Sequence, residues 1–189
     1  VKYRTIVADP PWRYQQSRIV TTSKTARTLP DAERQYPTMS NEEIAALPVG
    51  MLAEDDAHLY LWVTNPRLFG ETKRGELGPI DIITAWGFEY RTLLTWVKTG
   101  TLGLGYYFRG MTEHVLFCTR GHAPIPVERR ERNVLTAARG RHSQKPEAFL
   151  DLVERVSLGP YLELFARRQR LGWDTWGNEA LEHVEVTTP

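Results

Sequence analysis

The chain has 189 residues, with 24 basic against 23 acidic side chains, a net charge of +1 and 41% hydrophobic residues. That length suits one domain with a full hydrophobic core, and a charge so near zero excludes a whole-molecule field that draws the protein onto nucleic acid, so any such attraction is local. No apolar run approaches the roughly 18 residues of a membrane span and no basic-then-apolar signal segment opens the chain, which points to the cytoplasm.

The single cysteine, Cys118, excludes an intrachain disulfide and reads as a core residue in an apolar run. Lys2, Lys24, Lys73, Lys98 and Lys145 are the only lysines, and every other basic residue is arginine. Arginine suits bidentate phosphate contact. The same bias accompanies a GC-rich genome and hints at a bacterial or phage source.

Arg4 to Ala8 is rich in β-branched residues and stops at Asp9-Pro10-Pro11-Trp12, so it reads as a buried strand with Asp9 at its C-terminal edge. In open α/β sheets that edge is where ligands bind. The two prolines stiffen the backbone and offer no N–H. The turn therefore presents two acceptors, the Asp9 carboxylate and the Pro10 carbonyl, with the Trp12 indole beside them. An exocyclic amine on a planar base needs such a surface: two acceptors gripping its N–H bonds localise its lone pair, while an aromatic face holds the ring. An ordinary proline turn with Asp9 exposed and Trp12 in the core is the alternative reading.

Arg13 to Gln35 has almost no hydrophobic periodicity and carries Arg13, Arg18, Lys24, Arg27 and Arg34. A loop that long beside the Asp9 turn reads as a flap over substrate and phosphates, or as a solvated loop. Ser40-Asn41-Glu42-Glu43 has the capping-box pattern and predicts a short helix to about Leu47, stopped by Pro48. His58 to Val63 is a second strand, and Thr64-Asn65-Pro66 its turn. Helices are predicted around Arg67–Thr72 and over Pro79–Ala85, the latter with Ile80, Ile83 and Ala85 on its apolar side and Gly87 at its end. Thr92 to Val97 is a third strand. Strands alternating with helices indicate an α/β fold with a mainly parallel sheet.

Thr99 to Gly110 mixes glycines with Tyr106, Tyr107, Phe108 and Arg109. Its spacing is wrong for a dinucleotide fingerprint. Rings and a cation on one loop suit stacking on an unpaired base and contact with phosphate, unless the rings fold back onto the core. Glu113 to Arg120 is a fourth strand, expected to pair antiparallel with the third. Arg120 to Arg141 reads as irregular, with six arginines against Glu128 and Glu131, either a solvated face or a phosphate-tracking loop. Pro146 opens an amphipathic helix whose Phe149, Leu150, Leu152, Val153 and Val156 face inward. Tyr161 to Phe165 is the last predicted strand, and Trp173 to Glu179 follows closely. The histidines show no metal-ligand spacing, so no metal is implied.

Asp9-Pro10-Pro11-Trp12, Tyr36-Pro37-Thr38-Met39-Ser40, Leu61-Trp62-Val63-Thr64, Trp96-Val97-Lys98-Thr99, Glu113-His114, Ser143-Gln144-Lys145-Pro146 and Glu163-Leu164-Phe165-Ala166-Arg167 occur in one order. From about Tyr3 to about Glu179 that order resembles the DPPW-type adenine-N6 methyltransferases, the family that includes the catalytic subunit of the eukaryotic messenger-RNA adenosine methyltransferase. The resemblance implies a Rossmann-like, S-adenosylmethionine-dependent methyltransferase fold in the permuted order shared with β-class amino-methyltransferases. The catalytic half is then about residues 1–120 and the cofactor half about 140–182, within a single domain over 1–189.

The resemblance further implies catalysis by Asp9, Pro10, Pro11 and Trp12, and substrate contact from Tyr36, beside Tyr106, Phe108 and Arg109. Asp9, Lys145, Arg167, Asn178 and Glu179 would contact the cofactor, S-adenosylmethionine, which leaves as S-adenosylhomocysteine. Ala166-Arg167 stands where many other such enzymes have a glycine-rich loop. The segment that covers the cofactor adenine in longer relatives is expected to be missing ahead of Val1. The implied activity is methyl transfer to adenine N6 in nucleic acid, DNA before RNA, with a homodimer or a second recognition subunit as partner. A non-catalytic nucleic-acid-binding subunit and a small-molecule amino-methyltransferase are the alternatives.

Overall fold

A computed structural model describes residues 1–13, 37–69, 75–100, 107–140 and 144–176. Its elements are β1 (Tyr3–Ala8), α1 (Asn41–Ala45), α2 (Val49–Leu52), β2 (Ala53–Val63), α3 (Pro79–Ala85), β3 (Glu89–Thr99), β4 (Thr112–Arg120), β5 (Val134–Ala138), α4 (Glu147–Val156), β6 (Tyr161–Leu164) and β7 (Trp173–Trp176), with 3-10 turns at Asn65–Arg67 and Val127–Arg129. The strands form one sheet in the order β5-β3-β4-β2-β1-β6-β7. β4 pairs antiparallel with both β2 and β3, and the other pairs are parallel. The expected mainly parallel α/β sheet is present.

The pleat sorts the side chains. Ile6, Ala8, Leu59, Leu61, Val63, Leu116, Cys118, Leu162 and Leu164 face one side, where Ile44, Ile82, Ile83 and Trp86 from α1, α3 and its end cover them. Val7, Tyr60, Trp62, Trp96, Val115 and Phe117 face the other, under Phe149, Leu150 and Val153 of α4. Alternation along a strand sends neighbours to opposite faces, so Asp9, Lys98, Glu113 and Glu163 all fall on the α4 side.

Local chemistry sets the element ends. Ser40 Oγ accepts from the Glu43 N–H at 3.1 Å while the Ser40 N–H donates to Glu43 Oε2 at 2.6 Å. This reciprocal cap contributes about 1 kcal/mol and starts α1 where the sequence predicts. α3 starts at Pro79, its Gly78 N–H donating to Asp81 Oδ2 at 2.7 Å, and ends before Gly87 at φ 79°. All five apolar residues expected to face inward from α4 are buried.

Five expectations are corrected. β2 begins at Ala53, because a break in its pairing with β1 between Tyr3 and Thr5 lets Asp55 and Asp56 stay exposed within the strand. No α-helix starts at Arg67; Pro66 sits in a 3-10 turn and Arg67 is buried at its end. On α3, Ile80 and Ala85 are exposed, and Ile82 joins Ile83 on the buried side. The stretch 120–141 is not wholly irregular, since Val134 to Ala138 pairs parallel with β3 from Thr95 to Thr99. Trp173 to Trp176 is a strand beside β6. The proposed flap over 13–35 lies, from residue 14 on, outside the described residues.

Candidate active site at the C-terminal edge of the sheet

The Asp9 turn is fastened at each step. The Asp9 N–H reaches the Leu164 carbonyl at 3.4 Å, the Trp12 N–H the Pro10 carbonyl at 2.8 Å, and the Met39 N–H the Pro11 carbonyl at 2.9 Å. The Trp12 indole N–H donates to the Trp62 carbonyl at 3.1 Å. Trp12 is only 4% exposed and belongs to the core, which corrects the expectation that its face is free to stack on a base. Its ring anchors the turn to β2. The Pro10 carbonyl keeps one of its two lone pairs for a further donor.

Four charges alternate along this edge. Lys145, just ahead of α4, places Nζ 3.0 Å from Asp9 Oδ1 and 3.0 Å from Glu113 Oε2, and Lys98 pairs with Glu113 Oε1. None of the four side chains is more than 19% exposed. Burial alone would lower Lys145, but the Asp9 and Glu113 carboxylates outweigh it and hold the ammonium above its ordinary range. Burial would likewise raise Glu113, yet Lys145 and Lys98 together hold it below the usual carboxylate value.

Beneath the row lie two indoles. Lys145 Nζ stands 5.0 Å from the Trp62 ring centre and Lys98 Nζ 4.9 Å from that of Trp96, so each cation also meets a ring quadrupole. Because β4 runs against β3, the first residues of β4 lie beside the last of β3, and Glu113 is the register partner of Trp96.

The neighbouring strand ends in a different environment. Phe165 adopts φ 63°, a left-handed conformation that costs about 1–2 kcal/mol in a non-glycine residue. The chain leaves β6 abruptly there, and the Ala166 N–H returns to the Trp176 carbonyl at 3.0 Å. The following loop is clamped to α4: Arg168 pairs with Glu147 at 2.5 Å, and Arg170 reaches Glu147, Asp151 and Glu154 at 2.6 to 3.2 Å. Glu154 also accepts from the Trp173 indole N–H at 2.7 Å. Arg167 is half-buried at the start of this loop.

Glu163 on β6 is the register partner of Val7 and thus shares a face with Asp9. Its Oε2 is buried with no hydrogen-bond partner. Burial, with Asp9 and Glu147 nearby, pushes this carboxyl up to about 7 against the pull of Arg168 and Arg170.

Of the site residues expected from sequence, Asp9, Pro10, Pro11, Trp12 and Lys145 come together. Arg167 lies at the adjoining strand end. Phe108, 89% exposed, and Arg109 stand on the β3–β4 connection. Tyr36, Tyr106, Asn178 and Glu179 lie outside the described residues. Among those described, no three of His, Cys, Asp and Glu gather in a metal-binding arrangement, and no helix is long and apolar enough to cross a membrane. Lys98, Glu113, Trp62 and Trp96 carry no role that their sequence neighbours announce, though all four stand in the ordered motifs. The signal was charge complementarity at two strand ends, together with the odd and even parity that puts them on one face.

Comparison with known proteins agrees over nearly the whole chain. The family model MT-A70 matches residues 3–179. A type II methyltransferase, M.MunI, from a Mycoplasma species is 34% identical, the match covering 99% of this chain and 82% of that protein. An N(6)-adenosine-methyltransferase MT-A70-like protein of Drosophila melanogaster is 30% identical over 100% of this chain and 28% of its own length. The human N(6)-adenosine-methyltransferase catalytic subunit METTL3 is 27% identical over 100% and 30% respectively. The chain thus spans most of the mycoplasmal relative and less than a third of the animal ones. With the ordered motifs running along its sheet edge and the family model covering 3–179, the chain belongs to the MT-A70 family.

Proposed function

We propose that this protein transfers a methyl group from S-adenosylmethionine to the N6 amino group of adenine in nucleic acid, with DNA as the preferred polymer. The observation that carries the reading is the Asp9 carboxylate, fixed by Lys145 at the C-terminal edge of the sheet on a turn fastened to β2 and β6. Preference for DNA rests on the near full-length match to a type II methyltransferase. RNA is the second reading, from the N(6)-adenosine relatives. A second subunit that supplies sequence recognition is part of the proposal.

The residues fit the cofactor. A buried carboxyl oxygen without a partner on Glu163, the loop held to α4 through Arg168 and Arg170, and Lys145 beside Asp9 place polar groups at two adjoining strand ends. Lys145, Arg167 and Asp9, with Asn178 and Glu179, would hold it, and when bound it supplies an electrophilic methyl on a sulfonium.

The chain's own part is positioning. Lys145 takes Asp9 Oδ1, which leaves Oδ2 for one amino hydrogen of the adenine, and the free lone pair of the Pro10 carbonyl takes the other. Held by two acceptors, the amine would lose conjugation with its ring and free its lone pair for attack on an electrophilic methyl. A strong base would be unnecessary, because the nitrogen becomes acidic only as it acquires the methyl, and its surplus proton would then pass to solvent. Phe108 and Arg109 would hold the flanking strand, and a target in a duplex must first flip out.

The test is methyl transfer from labelled S-adenosylmethionine to matched DNA and RNA oligonucleotides, with the product nucleoside identified after digestion. N6-methyladenine made by the wild type and lost in Asp9→Ala supports the reading. Cofactor binding without transfer to any polymer, even with a supplied partner, overturns it.

A further inference from the structure

A cavity of about 190 Å³ lies on the α4 side of the sheet, toward the edge opposite the candidate active site. Its inner wall is apolar: Tyr60, Leu94 and Phe117 come from β2, β3 and β4, Leu152 and Val156 from α4, and Ile125 from the loop after β4. Thr92, also in the lining, stands roughly 20 Å back along β3 from Lys98 at about 3.3 Å per residue. The Tyr60 hydroxyl is 2.7 Å from Ser157 Oγ, so this residue offers the cavity only its ring. That ring meets Phe117 with centres 5.0 Å apart.

The loop over 121–133 borders this space and is fastened along its length. The His58 Nε2–H donates to the Ala123 carbonyl at 2.8 Å, and Glu131 pairs with Arg155 at 2.7 Å. At its far end the Thr95 N–H donates to the Asn133 carbonyl at 2.8 Å, and the Asn133 side-chain amide donates to the Leu93 carbonyl at 3.2 Å. Held at both ends and between them, the loop does not fold down to fill the space, although an unfilled apolar wall forfeits packing contacts. The mouth is cationic. Arg130 and Arg132 line it, both exposed, and among the described residues neither has an ion pair or a hydrogen bond. Glu131, the acidic residue of the lining, is drawn aside to Arg155.

We infer that this cavity binds a small aromatic carboxylate, with its ring against Phe117 and Tyr60 and its carboxylate on Arg130 and Arg132. An apolar cavity of roughly 150 Å³ takes up benzene, so the volume here suits one ring with a short acidic arm. A guanidinium matches a carboxylate through two parallel hydrogen bonds. A nucleotide would meet the cations equally well, but its base carries donors and acceptors around its edge, and the apolar wall leaves them unpaired. The next void inward, of about 10 Å³, shares Leu94 and Leu152 with the cavity and reaches Trp62 and Trp96. Indole fluorescence therefore reports occupancy.

The probe is phenylacetate, titrated into the full chain and followed by tryptophan fluorescence and by methyl NMR shifts at Leu94, Ile125 and Leu152. Saturable one-to-one binding is expected, at least about tenfold tighter than that of the neutral phenylacetamide. Arg130→Gln combined with Arg132→Gln is expected to bring the acid down to the affinity of the amide. Ile125→Trp, which fills the cavity from its outer loop, is expected to abolish binding of both. Circular dichroism and thermal melting confirm that the variants are folded, and the comparison of acid with amide on the wild type needs no variant. Saturating S-adenosylhomocysteine is expected to leave the affinity unchanged. No saturable binding by the folded wild type, equal affinity for acid and amide, or displacement by S-adenosylhomocysteine overturns the inference. Tighter binding of adenosine monophosphate at the same methyl groups overturns it as well. So does light scattering that shows a dimer which Ile125→Trp dissolves, since a second copy then fills the cavity.

Discussion

The indole of Trp62 meets that of Trp96 edge to face, ring centres 6.0 Å apart and planes at 83°, and each ring carries one lysine of the alternating charge row. The two rings come from strands that are not neighbours, since β4 lies between them. The charge row therefore rests on an aromatic floor that spans three strands. Replacing Trp96 by Leu removes the ring under Lys98 and the hydrogen bond from its indole N–H to the Ala137 carbonyl at 3.0 Å. A loss of about 3 kcal/mol in urea unfolding is expected for a buried tryptophan, with a larger drop in turnover than in cofactor affinity.

Lys145 is the only cation between Asp9 and Glu113 in the row, so Lys145→Met leaves two carboxylates facing each other with little solvent. Breaking a buried pair in this way costs about 3–5 kcal/mol. Pairing it with Glu113→Gln should recover most of that stability, measured by a double-mutant cycle, while methyl transfer stays at least about 100-fold down because Asp9 has lost its anchor. Full recovery of activity in the double variant would show that Lys145 serves stability alone.

The two unusual carboxyls predict opposite pH behaviour. Glu113 is held low by Lys145 and Lys98 against burial. It contributes stability that is fully present above its unfolded value, near 4.5, and is lost as pH falls through its folded value. Glu113→Gln should therefore flatten the acid limb of a melting profile between pH 5 and 3. Glu163, raised to about 7, does the reverse. The unfolded chain releases its proton near 4.5 while the folded one keeps it, so stability falls between those values. Glu163→Gln should be up to about 3 kcal/mol more stable than wild type at pH 8 and equal to it near pH 4.

Trp12→Phe keeps most of the ring volume but leaves the buried Trp62 carbonyl without its donor. An unmade buried hydrogen bond costs about 1–3 kcal/mol. The Asp9 turn should loosen, seen as faster amide exchange at Asp9 and Trp12, and turnover should fall without loss of nucleic-acid affinity.

Phe108→Ala combined with Arg109→Ala should act in the opposite sense. Both side chains are exposed on the β3–β4 connection, so the melting temperature should hold within about 1 °C, because surface changes stay near ±0.5 kcal/mol. The KM for the polymer should rise about tenfold and the salt dependence of binding should weaken.

The parts of the fold carried by local rules were legible in the sequence. The capping box set α1, period-3.6 apolar spacing set α4, and a β-branched run cut off by two prolines placed Asp9 at a strand edge. What escaped depended on distant partners. Val134 to Ala138 is short and bracketed by arginines, so its charged surroundings outweighed its strand composition until β3 offered a pairing edge. Trp173 to Trp176 became a strand only through β6. Trp12 was read as a stacking face because nothing in its neighbourhood announces a carbonyl fifty residues away. Lys98 and Glu113, in turn, meet only because β4 reverses.

That reversal has a consequence for how the protein can change. Between two parallel strands the connection leaves one edge of the sheet and re-enters at the opposite one. Between β3 and β4 it does not. The connection between β3 and β4 leaves from the sheet edge that holds the candidate site and returns to it, rooted at Lys98 on one side and Glu113 on the other. Its length and composition can be rewritten without moving a single register in the sheet or either end of the charge row. Exchanging this connection between relatives should transplant polymer preference while the candidate site stays where it is.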